Sequence, residues 1–381
     1  MTQHFKFPWP RRLAVAVSGG PDSLCLTWWL ARWAEENSVE LLALTVDHGL
    51  RPQSGQEAQK VVKWLKEWGL ECQILSLSLA QASPQKARQA RLRALIGQCH
   101  QRGIKDLFLA HHQDDLLETV WMRQQQGSGP KGLAGISSLG FYHGIRLCRP
   151  LLALRKQELV DTLQQLKQPF ITDPSNSHPK YTRSLARKAL QEFSSEQRQA
   201  FLQEIKGYTH RRLEAEERIK AMVPLEQGAG YVTFPFSALQ ELMLQDQQWL
   251  LLHGLMSQSY CAHPCKRTLM INLLTQLNQK SCATGGGCLV YKKRGQVYIF
   301  REWKRILPQA CLQPYTFWDS RFLVLEKSFQ PVLPLGLYKQ DCWVQTQARA
   351  SFPNISAICY PICSPMPSFV SSFGVSTRVS T

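Results

Sequence analysis

The string SGGPDS, at positions 18–23, holds the first residues in this sequence whose types and spacing suggest chemistry. Its first serine and two glycines carry little side-chain bulk, so their backbone N–H groups can approach an anion closely. The proline, aspartate and second serine suit the first turn of a helix. A helix cap requires only one oxygen-bearing side chain, whereas two glycines ahead of it favour a diphosphate at the positive helix end. The string therefore predicts a phosphate-binding loop.

A second cluster lies in AHHQDDLLET, at positions 110–119, directly after the apolar strand DLFLA. Asp115 and Glu118 stand at i and i+3 on one face of the opening helix turn, with a further aspartate beside them. Helix capping alone would explain these acids. The three acids and two histidines of this motif also suit Mg²⁺ bound together with phosphates, or a substrate ammonium. His111 and His112 have no third ligand nearby in the sequence, which argues against zinc.

A third candidate is the basic segment KARQARLR, which places Arg88 and Arg91 one helical turn apart. A charge run of this kind is commonly a solvated helix face. Planar guanidinium groups are also the preferred clamp for phosphate. Both interpretations remain open from the residues alone.

The elements that must position these motifs follow from the hydrophobic pattern. From residue 12 to about residue 175, apolar strands alternate with amphipathic helices. VELLALTVDH is continuously apolar, as expected of a strand buried on both faces. Repeated β–α units predict an α/β fold, a parallel sheet sandwiched by helices. Ligands of such sheets bind at the carboxyl ends of the strands, where SGGPDS, VDHGLR and HHQDD all fall.

Beyond about residue 175 the composition of the chain changes. We therefore expect four segments in the chain as a whole. A run of turn formers, DPSNSHPKY, marks the end of the first domain. Long charged helices follow, and then a β-like tract in which CLVYKKRGQVYIF predicts a hairpin with a basic turn. The end of the chain is rich in Ser and Pro and lacks periodicity. The predicted segments are a nucleotide-binding catalytic domain (1–180), a helical domain that contacts the partner (181–258), a small basic α+β region (259–351) and an unassigned tail (352–381).

Composition restricts the partners and the compartment. Forty-five Lys and Arg against 28 Asp and Glu give a formal net charge of +17, which suits a polyanion such as nucleic acid. A membrane surface would satisfy that charge too, but neither a signal peptide nor a transmembrane run is recognisable. Twelve cysteines without a secretory signal are most simply reduced thiols. We expect a cytoplasmic protein without membrane attachment.

Taken in order, the motifs resemble those of the tRNA(Ile)-lysidine synthetase family. SGGPDS lacks the spacing and the lysine of a Walker A loop; it resembles the PP-loop of ATP pyrophosphatases. RLR at 91–93 departs from the aromatic that more often follows the arginine in the family, and the tail matches nothing in it. The ordered set is SGGPDS (18–23), VDHGLR (46–51), ARQAR (87–91), AHHQDDLLET (110–119), GSGPKGLAGI (127–136), RPLL (149–152) and DPSN (173–176).

The resemblance implies a specific reaction on RNA. ATP, with Mg²⁺, would adenylate oxygen 2 of the wobble cytidine in the CAU anticodon of tRNA(Ile), releasing pyrophosphate. The amine of free L-lysine would then displace AMP from carbon 2. The product base pairs with A instead of G, so the tRNA would change from methionine to isoleucine identity.

The resemblance also implies roles for individual residues. The loop residues would bind ATP, Asp22 would help to hold Mg²⁺, and the α-helical carboxylates would orient lysine or metal. The net charge adds the expectation that basic side chains contact tRNA phosphates. The ATP-binding set is Ser18, Gly19, Gly20, Pro21, Asp22 and Ser23; the catalytic set is Asp22, Arg88, Asp115 and Glu118; the tRNA-binding set is Arg183, Arg187, Lys188, Lys292, Lys293 and Arg294.

Three alternatives were weighed against this interpretation. A PP-loop tRNA thiolase of the 2-thiocytidine type needs cysteine sulfur or an iron–sulfur cluster, whereas the cysteines of the first domain are scattered singly. A non-catalytic adenine-nucleotide-binding module leaves the acids of HHQDDLLET without a role. A nucleic-acid-binding protein without enzymatic activity explains the charge and leaves SGGPDS unexplained.

Overall fold

The computed structural model describes two compact units, Met1–Arg212 and Leu213–Thr381. The predicted boundaries at 180, 258 and 351 stay predictions. The DPSN motif, most of the tail and part of VDHGLR lie outside the described residues. The described residues are 10–47, 49, 53–77, 84–172, 182–228, 231–259 and 267–302, together with the backbone of short strands between 309 and 361.

A six-stranded sheet forms the centre of the first unit. Its strands are β1 (Arg12–Ala16), β2 (Glu40–Asp47), β3 (Glu71–Ser76), β4 (Asp106–Phe108), β5 (Leu139–Tyr142) and β6 (Ile145–Cys148). Their order is β3-β2-β1-β4-β6-β5, and every neighbouring pair except β5 and β6 is parallel. The predicted parallel sheet is confirmed, with one antiparallel edge strand in addition.

The antiparallel edge follows from a turn that the sequence analysis did not single out. His143 and Gly144, between β5 and β6, both have positive φ, at 50° and 74°. Two consecutive residues in this region make the tight turn whose twist matches a hairpin. The chain therefore reverses here without a helical crossover.

Helices flank this sheet and are the main source of its buried contacts. They are α1 (Pro21–Glu36), α2 (Ser54–Glu67), α3 (Pro84–Gln101), α4 (Gln113–Gln125), α5 (Pro130–Leu133), α6 (Lys156–Gln165), α7 (Thr182–Gln191) and α8 (Ser195–Met222). The central strand β1 is covered on both faces, because Leu13, Ala14 and Val15 are all fully buried. Leu24 and Leu30 bring α1 into the same core. The predicted α/β class is confirmed.

The second unit is built on an antiparallel sheet packed on one face by helices. Its strands are β7 (Glu226–Gly228), β8 (Tyr231–Pro235), β9 (Cys282–Gly285), β10 (Cys288–Lys293) and β11 (Gln296–Arg301), in the order β7-β8-β11-β10-β9. The helices are α9 (Phe236–Glu241), α10 (Leu244–Ser259) and α11 (Arg267–Gln279). The predicted hairpin is confirmed as β10 and β11, whereas β7 and β8 fall in the segment predicted to be helical.

Short strands follow the sheet of the second unit: β12 (Gln309–Cys311), β13 (Thr316–Trp318), β14 (Phe322–Val324), β15 (Ser328–Val332) and β16 (Cys359–Pro361). β12 pairs with β15, and β14 pairs with both β13 and β16. β16 lies in the segment left unassigned from the sequence. Across the part of the chain that the structure describes, no helix is long and apolar enough to cross a membrane.

Candidate active site

The SGGPDS loop joins the end of β1 to the start of α1, and its own side chains fix its shape. Ser23 Oγ accepts a hydrogen bond from the backbone N–H of Ser18 at 3.1 Å and donates one to the carbonyl of Gly20 at 3.0 Å. Gly20 precedes the helix in an extended conformation, and Pro21 occupies the first turn. The positive end of α1 therefore opens directly onto this loop.

The two glycines of the loop have different reasons to be glycine. Gly19 has φ of +79°, and a Cβ there would lie 2.6 Å from Ile171 Cδ1 and 2.7 Å from Val61 Cγ2. Its carbonyl also accepts a hydrogen bond from the N–H of Ile171. At Gly20 the nearest atom to an added Cβ is Ser18 Oγ, at 3.6 Å. Packing within the protein thus requires Gly19, whereas it leaves room for a side chain at Gly20.

Asp22 is the carboxylate within the loop, and its negative charge is poorly compensated. Its Oδ1 is buried and receives no hydrogen bond from the described residues, while Oδ2 lies 3.6 Å from Nε2 of His112. Burial raises the pKa of Asp22, and this outweighs the opposing effect of His112 and Lys156. A buried carboxylate oxygen without a donor is costly, and a cation would offset that cost. Asp22 therefore fits Mg²⁺ held jointly with phosphate oxygens.

The acids of α4 form a cluster with arginines from α7. Arg183 donates from Nη2 to Asp115 Oδ1 at 2.8 Å and from Nε to Glu118 Oε2 at 2.7 Å. Arg187 donates from Nε to Glu118 Oε1, also at 2.7 Å. Glu118 is buried, and a buried carboxylate is costly unless it is paired. The two guanidinium groups compensate its charge.

His112 connects this cluster to the loop. Its Nε2 lies 3.4 Å from Asp115 Oδ2 and 3.6 Å from Asp22 Oδ2, and its backbone N–H donates to Asp115. Asp114, on the other side of the ring, accepts hydrogen bonds from Arg198 Nη1 and from the N–H of Lys156. These contacts lower the pKa of Asp114 against the effect of burial.

Arginine side chains make the remainder of the site positive. Partial desolvation and the charge of neighbouring Arg183 lower the pKa of Arg88, whose side chain still reaches the surface. Burial and Arg88 lower the pKa of Arg149 to about 10. Burial and the charge of Arg149 lower the pKa of His111 to about 3, so this ring is neutral at physiological pH. A cluster of crowded guanidinium groups is an environment suited to phosphate.

The structure thus brings the predicted catalytic residues into one network. Asp22 is joined through His112 to Asp115. The negative charge of Asp115 also acts on Arg88, where it partly opposes the lowering of the Arg88 pKa. Among the described residues, no group of three or more His, Cys, Asp or Glu side chains could hold a metal ion by itself. A metal at Asp22 would therefore depend on phosphate ligands.

The predicted tRNA-binding residues occupy two different environments. Arg183 and Arg187 lie in the carboxylate cluster, so a contact of either with tRNA stays a prediction. Lys292 is engaged within its own unit, because its Nζ donates to the carbonyl of Leu277 and lies over a phenylalanine ring. In contrast, three of the predicted residues have exposed side chains: Lys188, Lys293 and Arg294.

Individual roles for His112, Arg149 and Arg198 were not predicted from the sequence. His112 was grouped with the acids of its motif but given no contact of its own, and Arg149 was quoted within RPLL without a role. Arg198 belongs to α8, which carried no motif. The signal that could have found the first two is their place directly after β4 and β6, at the carboxyl ends of the parallel strands.

Residues 1–193 match a family model described as a PP-loop domain. The tRNA(Ile)-lysidine synthase of Wolbachia pipientis wMel is 32% identical over 332 residues, which cover 82% of this chain and 76% of that protein. The chain belongs to the tRNA(Ile)-lysidine synthase family. The synthase of Rickettsia prowazekii (strain Madrid E) is 29% identical over 84% of this chain and 77% of its own length. The synthase of Bradyrhizobium sp. (strain BTAi1 / ATCC BAA-1182) is 41% identical over 48% of this chain and 53% of its own length.

Membership of the tRNA(Ile)-lysidine synthase family confirms the resemblance seen in the sequence, and it makes the chain an ATP-dependent ligase with a PP-loop ATP-binding domain. Among solved structures, the U34-tRNA thiolase NcsA from Methanococcus maripaludis, with its 4Fe-4S cluster, matches 53% of this chain and 72% of its own. The TM-score is 0.45 and the identity 20%, a likeness that carries no inference about chemistry. Membership of the synthase family is what disfavours the thiolase and the non-catalytic module.

Proposed function

We propose that this chain ligates L-lysine to carbon 2 of the wobble cytidine in the CAU anticodon of tRNA(Ile), through an adenylated cytidine. The observation that carries the proposal is the network from the SGGPDS loop through His112 to the α4 carboxylates, in a chain of this family. The reaction converts the tRNA from methionine to isoleucine specificity.

In the first step, cytidine O2 attacks the α-phosphorus of ATP and pyrophosphate leaves. The SGGPDS backbone and the positive end of α1 bind the phosphates of ATP. Mg²⁺, when bound with the nucleotide, supplies further neutralisation of phosphate charge, and Asp22 is the residue that would hold it. Arg88 and Arg149 stabilise the negative charge that moves onto the leaving pyrophosphate, since their positive charges are in place before the reaction begins.

In the second step, the lysine amine attacks carbon 2 and AMP leaves with the oxygen. The carbon of an amide-like ring resists an amine until its oxygen becomes a good leaving group, which adenylation achieves. The amine loses a proton as the carbon–nitrogen bond forms, and the phosphate of the departing AMP or solvent accepts it. Asp115 and Glu118 orient the lysine, and holding it against the adenylated base makes the attack effectively unimolecular.

The net charge of +17 supports a tRNA partner. A tRNA substrate in turn supports a cytoplasmic location. Lys188, Lys293 and Arg294 are exposed and are not members of the carboxylate cluster described above, so they are the better candidates for phosphate contacts. The anticodon base must leave its stack to reach the loop, which costs a few kcal/mol for an unpaired nucleotide.

The test is incorporation of labelled lysine into an unmodified CAU-anticodon tRNA(Ile) transcript, with ATP and Mg²⁺. A transcript with the wobble cytidine replaced by uridine serves as the matched control. Transfer to the first transcript alone, with AMP and pyrophosphate released in equal amounts, is the expected result. AMP release with another tRNA or another amine, and no lysine transfer, would retain the adenylating site and reject the substrate.

A further inference from the structure

The antiparallel sheet of the second unit has two faces of different character. Residues that point toward the helices are fully buried: Val232, Phe234, Val290, Val297 and Ile299. The alternate positions point the opposite way, and five of them are apolar or aromatic and only half-buried. These five form what we call the aromatic face: Tyr231, Leu289, Tyr291, Tyr298 and Phe300.

The strand register brings the rings of the aromatic face together. Phe300 pairs with both Leu289 and Tyr231, and Tyr298 pairs with Tyr291. The rings of Tyr298 and Phe300 are nearly parallel, at 11°, with centroids 5.9 Å apart. Tyr231 lies 5.7 Å from Phe300 and 6.1 Å from Tyr298. Ring contacts therefore join β8 to β11, and the strand register places Tyr291 of β10 beside Tyr298.

Positive charge borders the aromatic face. Lys293 shares the outward face of β10 and is exposed, and Arg294 is exposed in the adjoining turn. The outward positions of β8, β10 and β11 carry no acidic side chain, whereas on the neighbouring strand β7 the exposed Glu226 pairs with Thr233. Aromatic rings beside Lys and Arg are the surface that unpaired nucleotides recognise, because each base has a face to stack and each phosphate needs a cation. An apolar protein partner would need neither the basic rim nor the tyrosine hydroxyls.

We propose that the aromatic face stacks unpaired nucleotides of the tRNA substrate, with Lys293 and Arg294 contacting the adjoining phosphates. This inference rests on the proposed function for the identity of the RNA, but its site is separate from the SGGPDS loop. Stacking tolerates any base, so the face contributes affinity for single-stranded RNA and no sequence preference.

The experiment measures binding of a fluorescently labelled eight-nucleotide oligouridylate to the full chain by anisotropy, without ATP or lysine. The double variant Tyr298→Leu/Phe300→Leu is expected to raise the Kd at least tenfold. Tyr298→Phe retains the ring and should stay within twofold of the unchanged protein. Thr284→Ala, an exposed outward position on β9, is the matched control and should also leave the Kd unchanged.

A crosslinking measurement keeps the test decisive if the leucine variant fails to fold. An oligouridylate containing 5-bromouridine, irradiated with the unaltered protein, should crosslink to peptides containing β10 or β11. The proposal is overturned if the folded leucine variant binds normally, if crosslinks fall only in the first unit, or if the unaltered protein does not bind the oligomer. Because lysine transfer is assayed separately, failure here would leave the proposed reaction standing.

Discussion

Arg183 donates a hydrogen bond from Nε to Glu118 Oε2 at 2.7 Å, joining two residues that lie 65 positions apart in the chain. Arg183 also holds Asp115, so both carboxylates that the sequence assigned to lysine or metal already have a guanidinium partner. A lysine ammonium that enters this cluster must compete with Arg183 or share its carboxylates. If Asp115 and Glu118 orient lysine as proposed, its recognition is coupled to the position of α7.

Replacing the buried carboxylate tests this coupling. Glu118→Gln leaves Arg187 without its charged partner and is expected to cost about 1–2 kcal/mol of unfolding free energy. The loss is smaller than for a fully buried pair because the Arg183 and Arg187 side chains are 34% and 37% exposed. Activity should fall mainly through kcat/KM for lysine, by about tenfold or more. Urea unfolding and initial rates at varied lysine measure the two effects.

The control for this variant is Glu192→Gln, at an exposed carboxylate just beyond α7, which should change neither quantity. The double variant Glu118→Gln/Arg187→Gln should recover part of the lost stability, since it also removes a guanidinium charge that Glu118 compensates. Unchanged kcat/KM for lysine in folded Glu118→Gln would remove Glu118 from the substrate site.

Asp22→Asn is expected to abolish turnover while stabilising the fold. Its raised pKa means that folding disfavours the charged form, so the stability that this carboxyl contributes is present below its ordinary pKa of 3.8. That contribution is lost as the pH rises through the raised value. At pH 7 the amide removes the penalty, and Tm should rise. Lysine transfer should fall at least about a hundredfold, because no carboxylate holds the cation beside the phosphates.

Retention of tRNA on a filter should be almost unchanged in Asp22→Asn. Glu36→Gln, an exposed acid at the other end of the same helix, is the matched control for charge and should have ordinary Tm and activity. Equal loss of turnover and tRNA retention would remove the assignment of Asp22 to ATP.

The cysteines of the first unit are expected to be chemically inert. Burial raises the pKa of the Cys25, Cys72, Cys99 and Cys148 thiols to about 12. About 10⁻⁴ of each thiol is then ionised at pH 8, and the thiolate is the reactive species. Iodoacetamide should therefore modify exposed Cys282 well before these four, as mapped by mass spectrometry.

Urea provides the reference state for this measurement, because all four thiols should react once the chain unfolds. Rapid modification of Cys25 or Cys148 in the native protein would instead show an accessible thiolate beside the nucleotide loop. That outcome would reopen the thiolase alternative.

The sequence predicted the parts of the site whose signals are local. The SGGPDS loop combines glycines with a helix start, and the order of apolar strands predicts which loops meet at one edge of the sheet. His112 escaped assignment because its role depends on three carboxylates, only two of which are its neighbours in sequence. Arg183 and Arg187 were predicted to contact tRNA. Nothing in a charge run indicates that its members have carboxylate partners on a distant helix.

The strands β7 and β8 were missed for a different reason. They are only three and five residues long and lie between long helical patterns, so tertiary pairing with β11 decides their conformation. The hairpin of β10 and β11 was predictable because its pairing is local and its turn is marked by Gly295.

Substitutions at the two loop glycines should distinguish an effect on folding stability from an effect on ATP binding. Gly19→Ala puts a Cβ within 2.7 Å of two side-chain atoms at a positive φ, so it should lower the free energy of unfolding by about 1–3 kcal/mol. Gly20→Ala meets no atom closer than 3.6 Å and should change stability by less than about 1 kcal/mol. We expect its methyl group instead to crowd the ATP phosphates proposed to bind this loop. KM for ATP should therefore rise about tenfold or more in Gly20→Ala, measured by lysine transfer at varied ATP. An ordinary KM in this folded variant would place the phosphates elsewhere.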